Sequence, residues 1–137
     1  MEDRLSKKQS TETDSCPCGS GASYDACCQV YVSGTAAAPT AEALMRSRYS
    51  AFALQEPSYL LESWHPKTRP SRVRLDPEQR WIGLSIKATE AGGESDSTGV
   101  VEFVARFKVA GKGHRLHERS RFEQIDGQWY YLDGDHL

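Results

Sequence analysis

Apolar residues recur along this chain with two different periods, and the change of period divides it. Between residues 40 and 64 the spacing is helical: Met45, Tyr49 and Phe52 share one side, and Leu44 and Ala53 widen the stripe. Thr40 stands where an N-cap belongs, with Ala41, Glu42 and Ala43 opening the helix, and Pro57 ends it near Gln55. Pro57 also suits the first turn of a second short helix over residues 58–64, which gathers Leu60, Leu61 and Trp64 before Pro66 stops it. From Trp81 onward the period becomes two. Residues 81–88 are apolar enough to predict a strand buried on both faces. Val101, Phe103, Ala105 and Phe107 alternate with Glu102, Val104 and Arg106, and Leu116, Glu118, Ser120 and Phe122 alternate with His117, Arg119 and Arg121.

The breaks between these runs carry turn chemistry. Residues 91–99 form a polar Gly/Ser-rich loop, Gly111 and Gly113 mark a turn, and Asp126-Gly127 is the strongest hairpin signal, leading into Trp129, Tyr130, Tyr131 and Leu132. Helices followed by a meander of at least three long antiparallel strands predict an α+β fold, a curved sheet with helices on its concave face. That body spans residues 40–137. Residues 1–14 are polar and charged and predict a mobile tail. A cysteine knuckle follows over residues 15–32, closing on an extended stretch at 29–32, and residues 33–39, with Gly34 and three alanines, read as a linker.

The chemistry concentrates in the knuckle. All four cysteines, Cys16, Cys18, Cys27 and Cys28, fall in residues 16–28 as Cys-x-Cys, eight residues, then Cys-Cys. Four soft thiolates close in sequence can cage one ion tetrahedrally, as a structural zinc prefers, and Gly19 and Gly21 let the loop between the pairs turn back. Four protein ligands leave no open position for a catalytic water. No apolar run approaches the ~20 residues that span a bilayer, and the N-terminus has no apolar core of a secretory signal. The expectation is therefore a cytoplasmic protein, where clustered cysteines hold metal rather than disulfides. At 38% hydrophobic and 26% charged residues, the chain can bury a real core.

Charge narrows the partner. The net charge is −2, and no basic residue occurs between Gln9 and Met45, so the knuckle offers nothing to phosphates. One basic window, Lys67, Arg69, Arg72, Arg74 and Arg80 against Asp76 and Glu78, keeps a nucleic-acid surface as an alternative to a protein partner. No membrane partner is expected, and the oligomeric state is left open. No Gly-rich phosphate loop, nucleophile elbow or His-Glu-x-x-His is present. Arg46, Arg48, His65, Glu118 and Arg119 are the residues that would line an internal pocket if the body were a small-molecule-binding or catalytic cone.

Residues 16–28 resemble the SEC-C motif, the zinc knuckle in the C-terminal tail of the protein-translocase motor SecA. The body resembles the YchJ-like family of uncharacterised bacterial proteins. The resemblance rests on Leu44-Met45-Arg46-Ser47-Arg48-Tyr49-Ser50-Ala51-Phe52, Trp64-His65-Pro66, Trp81-Ile82-Gly83-Leu84, Phe103-Val104-Ala105-Arg106-Phe107, Glu118-Arg119-Ser120-Arg121-Phe122 and Gly127-Gln128-Trp129-Tyr130-Tyr131. It implies a nuclear-transport-factor-two-like (NTF2-like) cone, one structural Zn²⁺ on Cys16, Cys18, Cys27 and Cys28, and a module linked to translation or protein export. Cys28 stands where many such motifs carry histidine, and the usual lysines between the ligand pairs are replaced here by Ala22-Ser23-Tyr24-Asp25-Ala26. Longer relatives carry a second such motif, whereas this chain closes on Asp133-Gly134-Asp135-His136-Leu137.

Overall fold

The computed structural model describes residues 15–137, so the tail expected over 1–14 lies outside the described residues. A single 3₁₀ turn, Tyr24–Ala26, precedes three helices, α1 (Gln29–Val32), α2 (Ala41–Ala53) and α3 (Pro57–Glu62). Four strands follow, β1 (Gln79–Ala91), β2 (Thr98–Val109), β3 (Lys112–Ile125) and β4 (Gln128–His136), in one antiparallel sheet of order β1-β2-β3-β4. The class is α+β, with α2 lying across the inner face of β1, β2 and β4. No helix among the described residues is long and apolar enough to cross a membrane.

Helix α2 starts where the cap predicts. Thr40 is extended, and its Oγ1 accepts the Ala43 amide at 3.0 Å. Leu44, Met45, Arg48 and Tyr49 are all buried, and so are Ser47, Ser50 and Ala51 around the helix, because α2 is covered on more than one side. Helix α3 opens on Pro57 and plants Leu60, fully buried, against it. After α3 the chain adds to the edge of β4: the His65 amide donates to Tyr131 O at 2.7 Å, and the Tyr131 amide to Ser63 O at 2.8 Å.

Two expectations are corrected. Residues 29–32 are a helical turn, not an extended stretch: the Tyr31 and Val32 amides donate to Cys28 O at 3.0 and 2.9 Å. Adjacent cysteines that must aim at one point force a sharp backbone turn, and a four-residue alternation is too short to resist it. Strand β1 is an edge strand with one apolar side, not a strand buried on both faces. Its register slips between Trp81 and Gly83 and again between Ile86 and Ala88. The first bulge brings Trp81 and Leu84, three positions apart, to the same inner face and leaves Ile82 55% exposed. A shifted parity had made one face look like two.

Both long hairpins turn on two residues with positive φ, Ala110 (52°) and Gly111 (81°), then Asp126 (52°) and Gly127 (80°), the geometry that matches strand twist. A different glycine pair docks α2 on the sheet. Gly92 (φ 83°) and Gly99 close the β1–β2 loop, and the Ala41 amide donates to Gly92 O at 2.9 Å. A Cβ on Gly99 would lie 2.5 Å from Gly92 Cα and 3.0 Å from Ala41 Cβ. Backbone cannot give way there. Gly99→Ala should therefore destabilise the protein by about 1–3 kcal/mol, and Thr40→Ala by about 1 kcal/mol. Urea unfolding midpoints check both, with Gly99→Ala expected to be the larger loss.

Candidate metal centre and cone cavity

The knuckle folds back through its own backbone. The Cys16 amide donates to Ala22 O at 2.8 Å and the Gly19 amide to Cys16 O at 3.1 Å, with Gly19 and Gly21 at φ 81° and 92°. It is the left-handed φ of Gly19 that calls for glycine, and the position packs close to Leu84 O of β1. The 3₁₀ turn sets the second pair: the Cys27 amide donates to Tyr24 O at 3.0 Å, and Cys28 opens α1. The result brings Cys16, Cys18, Cys27 and Cys28 together, with all four Sγ atoms within 4.8 Å of one another and no disulfide between them.

That spacing fits an ion. A tetrahedron with metal–sulfur bonds near 2.3 Å has sulfurs about 3.8 Å apart, and Cys18 and Cys27 Sγ are 3.7 Å apart. Cys16, Cys18 and Cys28 are buried and Cys27 is half-buried. Bonds from the Cys16 and Cys28 thiols hold Cys18 well below the ordinary thiol range. Cys28, its thiol hydrogen-bonded to the Cys16 and Cys18 sulfurs and desolvated, is pushed far above it, and burial raises Cys27 as well. Thiolates set this close repel one another, and a soft divalent ion is the group that fits the set. Ser20 Oγ lies 3.1 Å from Cys27 Sγ and Ser50 Oγ 3.4 Å from Cys16 Sγ, and Arg46 Nη1 donates to Cys18 O at 2.8 Å.

The knuckle is continuous with the body. Cys16, Cys18 and Cys28 share one apolar cluster with Leu44, Met45 and Tyr49 of α2, and Tyr24 and Tyr31 pack against it. Residues 33–39 are tied down as well: the Ala36 amide reaches Val30 O at 3.1 Å and Trp129 Nε1 donates to Pro39 O at 3.2 Å.

Of the five residues expected to line an internal pocket, only Arg48 and Glu118 do so. They border a cavity of about 310 Å³ between α2 and the inner face of the sheet, together with Trp64, Trp81, Ser120 and Tyr131. Arg46 turns to the knuckle and pairs with Glu42 at 3.0 Å. His65 is buried elsewhere, its Nδ1 accepting the Lys67 amide and its Nε2 donating to Glu123 at 2.5 Å. Arg119 lies on the outer face, 2.7 Å from Glu90. Burial lowers the Arg48 guanidinium to about 10, which leaves it a cation at neutral pH. Ser120 and Tyr131 were not singled out from the sequence, although a serine on the inward parity of a strand is a legible sign of a polar spot in the cone.

The family model for the YchJ middle NTF2-like domain matches residues 40–134, and that for the SEC-C motif matches residues 13–29. A UPF0225 protein of Chromobacterium violaceum is 56% identical over 133 residues, covering 94% of this chain and 96% of that protein. A UPF0225 protein of Streptomyces coelicolor is 55% identical over 125 residues, covering 91% and 98%. The solution structure of a SEC-C motif containing protein from Rhodopseudomonas palustris superposes with a TM-score of 0.78 at 37% identity, covering 89% of this chain and 98% of that one. The crystal structure of a SEC-C motif containing protein from Psychrobacter arcticus gives 0.72 at 34% identity, covering 86% and 80%.

Groups that steady the ligands should matter nearly as much as the ligands. Ser20→Ala, which removes the hydroxyl beside Cys27, is expected to weaken divalent-metal affinity by about tenfold while leaving the sheet intact. Competition against a chromophoric chelator measures it, and an unchanged affinity would show that Ser20 has no part in holding the ligand.

Proposed function

The chain belongs to the YchJ-like UPF0225 family of SEC-C proteins, and we propose that it is a zinc-stabilised interaction module for an acidic protein surface. The ion is one structural Zn²⁺ on Cys16, Cys18, Cys27 and Cys28. Thiolate donors, tetrahedral sulfur spacing and a set of four protein ligands support zinc in a non-catalytic role.

The observation that carries the partner is the register of the sheet. Arg106 of β2 stands directly opposite Arg115 of β3, and Lys108 directly opposite Arg80 of β1. All four are exposed, and none forms an ion pair among the described residues. Further along the same outer face the arginines are neutralised: Arg119 by Glu90, and Arg121 by Asp133 and Asp135 at 2.6 and 2.8 Å. Like charges set directly opposite weaken a sheet by about 0.2–1 kcal/mol per pair. A surface on which two such pairs find no counter-charge among the described residues fits a negative partner from outside. The net charge of −2 and the absence of basic residues in the knuckle favour an acidic protein over a phosphate backbone.

A second reading is favoured by the cavity itself: a small-molecule-binding cone, with apolar walls and a few convergent polar groups.

Metal analysis of protein purified without chelators should find one zinc per chain; less than half an equivalent would overturn the cage. Chelation should disorder residues 15–32 and loosen the side of α2 that meets them, while the β2–β3–β4 amides keep slow hydrogen exchange. Arg115→Glu is expected to raise stability by about 0.5–1 kcal/mol and to abolish the low-salt capture of acidic proteins. A variant that is no more stable, or that retains the same proteins, would count against the outer face as the working surface.

A further inference from the structure

The cavity has a chemical asymmetry that its charge balance makes informative. Most of its wall is apolar, from Met45, Tyr49 and Phe52 on α2 to Trp81, Phe103 and Leu116 on the sheet. The polar groups gather around Tyr131. Arg48 is 4% exposed, and its Nη1 donates to Leu60 O at 2.8 Å and to Ser63 Oγ at 2.6 Å. Its Nε and Nη2 have no partner among the described residues. The guanidinium carbon lies 4.7 Å from the Tyr131 ring centroid and 5.2 Å from that of Trp64, whose own Nε1–H is buried without a partner. Glu118 accepts from Ser120 Oγ at 2.7 Å and from the Tyr131 hydroxyl at 3.4 Å. Its carboxylate rests over Gly134, where any Cβ would strike it.

Arg48 and Glu118 therefore flank Tyr131 with opposite charges, both facing the cavity, yet they form no ion pair with each other; Glu118 Oε1 instead lies 3.8 Å from Nε2 of the exposed His136. One presents unused donors and the other an acceptor. The site is already neutral in sum, so an anion or a cation entering alone would leave a net charge in a largely apolar enclosure, which is unfavourable. A ligand that presents an acceptor to Arg48 and a donor to Glu118 leaves none. A cavity near 310 Å³ is at the small end of ligand pockets, enough for one ring or one branched chain with its head group.

We propose that the cone cavity binds a small apolar molecule of zero net charge whose head sets a hydrogen-bond acceptor beside a donor, as a primary carboxamide or a zwitterionic α-amino acid does. This rests on the small-molecule reading of the cone and adds the ligand's class to it.

Four probes of one shape test it on the full chain: 3-phenylpropionamide (neutral), L-phenylalanine (zwitterionic), 3-phenylpropionate (anionic) and 2-phenylethylamine (cationic). Indole NMR signals report the site, since Trp64 and Trp81 line the cavity and Trp129 does not. At least one net-neutral probe should bind about tenfold tighter than either charged one and shift Trp64 and Trp81 but not Trp129. The amide and the amino acid distinguish the two heads. Charged probes that bind as tightly as the neutral ones would overturn the proposal and leave a small-molecule cone standing. If no probe moves Trp64 or Trp81 at millimolar concentration, both fall. Arg48→Met risks unfolding, because Arg48 anchors α3, so the informative variant is Glu118→Gln, which keeps shape and removes one charge. It should turn the preference toward 3-phenylpropionate by about tenfold, and an unaltered ranking would refute the charge-balance argument.

Discussion

Helix α2 is held from two sides at once, and the remainder of the molecule is arranged around that double burial. One side closes the cone through Met45, Arg48 and Tyr49; another receives the cysteine knuckle, with Ser50 against Cys16 and Arg46 on the Cys18 carbonyl. A thirteen-residue helix buried on one stripe would tolerate polar substitutions around most of its circumference. Here Ser47, Ser50 and Ala51 are as inaccessible as Leu44 and Tyr49, and each small side chain marks a close neighbour. Ser47 donates to Leu44 O at 2.8 Å and meets the Tyr59 hydroxyl at 2.7 Å, so α3 grips the same helix a third way.

This arrangement changes what the metal does. A knuckle hung on a flexible linker would order only itself. Residues 33–39 are hydrogen-bonded to the knuckle and to Trp129, and three of the four cysteines sit in the same apolar cluster as the body. The free energy that a structural ion would contribute, about 10–16 kcal/mol in isolated knuckle peptides, would thus be applied to a surface shared with α2. Four thiolates around a divalent cation leave a formal charge of −2, and the Arg46 guanidinium at the Cys18 carbonyl is positioned to offset part of it.

Much of this was legible in the sequence where a local signal and the tertiary context agree. The Thr40 cap, the Pro57 start, the Asp126-Gly127 turn and the cysteine spacing each state a geometry that the fold adopts. What was not legible has definite causes. The bulges of β1 shift its parity without a marker residue, and the helical turn at residues 29–32 follows directly on the adjacent pair Cys27 and Cys28. The cavity is more instructive. Arg46 and Arg48 are two residues apart on a helix, about 200° around its axis, so they cannot serve one pocket. Glu118 and Arg119 are neighbours on a strand and must face opposite sides of the sheet. Elementary periodicity separates these pairs, whereas placing His65 required the long-range register of the chain against Tyr131.

The same alternation assigns the two faces of β2 and β3 to different work. Glu118 and Ser120 point inward to the cavity, while Arg106, Arg115 and Arg119 point outward, so a partner on the outer face and a molecule in the cone would not compete for space. They are not independent of the metal in the same degree. Of the four outer cations, Arg106, Lys108 and Arg115 stand on the two central strands, whose mutual pairing is continuous, and Arg80 stands on the edge strand β1. The cavity takes Met45, Arg48, Tyr49 and Phe52 from α2, the helix against which the sulfur cage is packed. An ion lost from that cage would act on this helix, and so on the inner site, more directly than on the outer face.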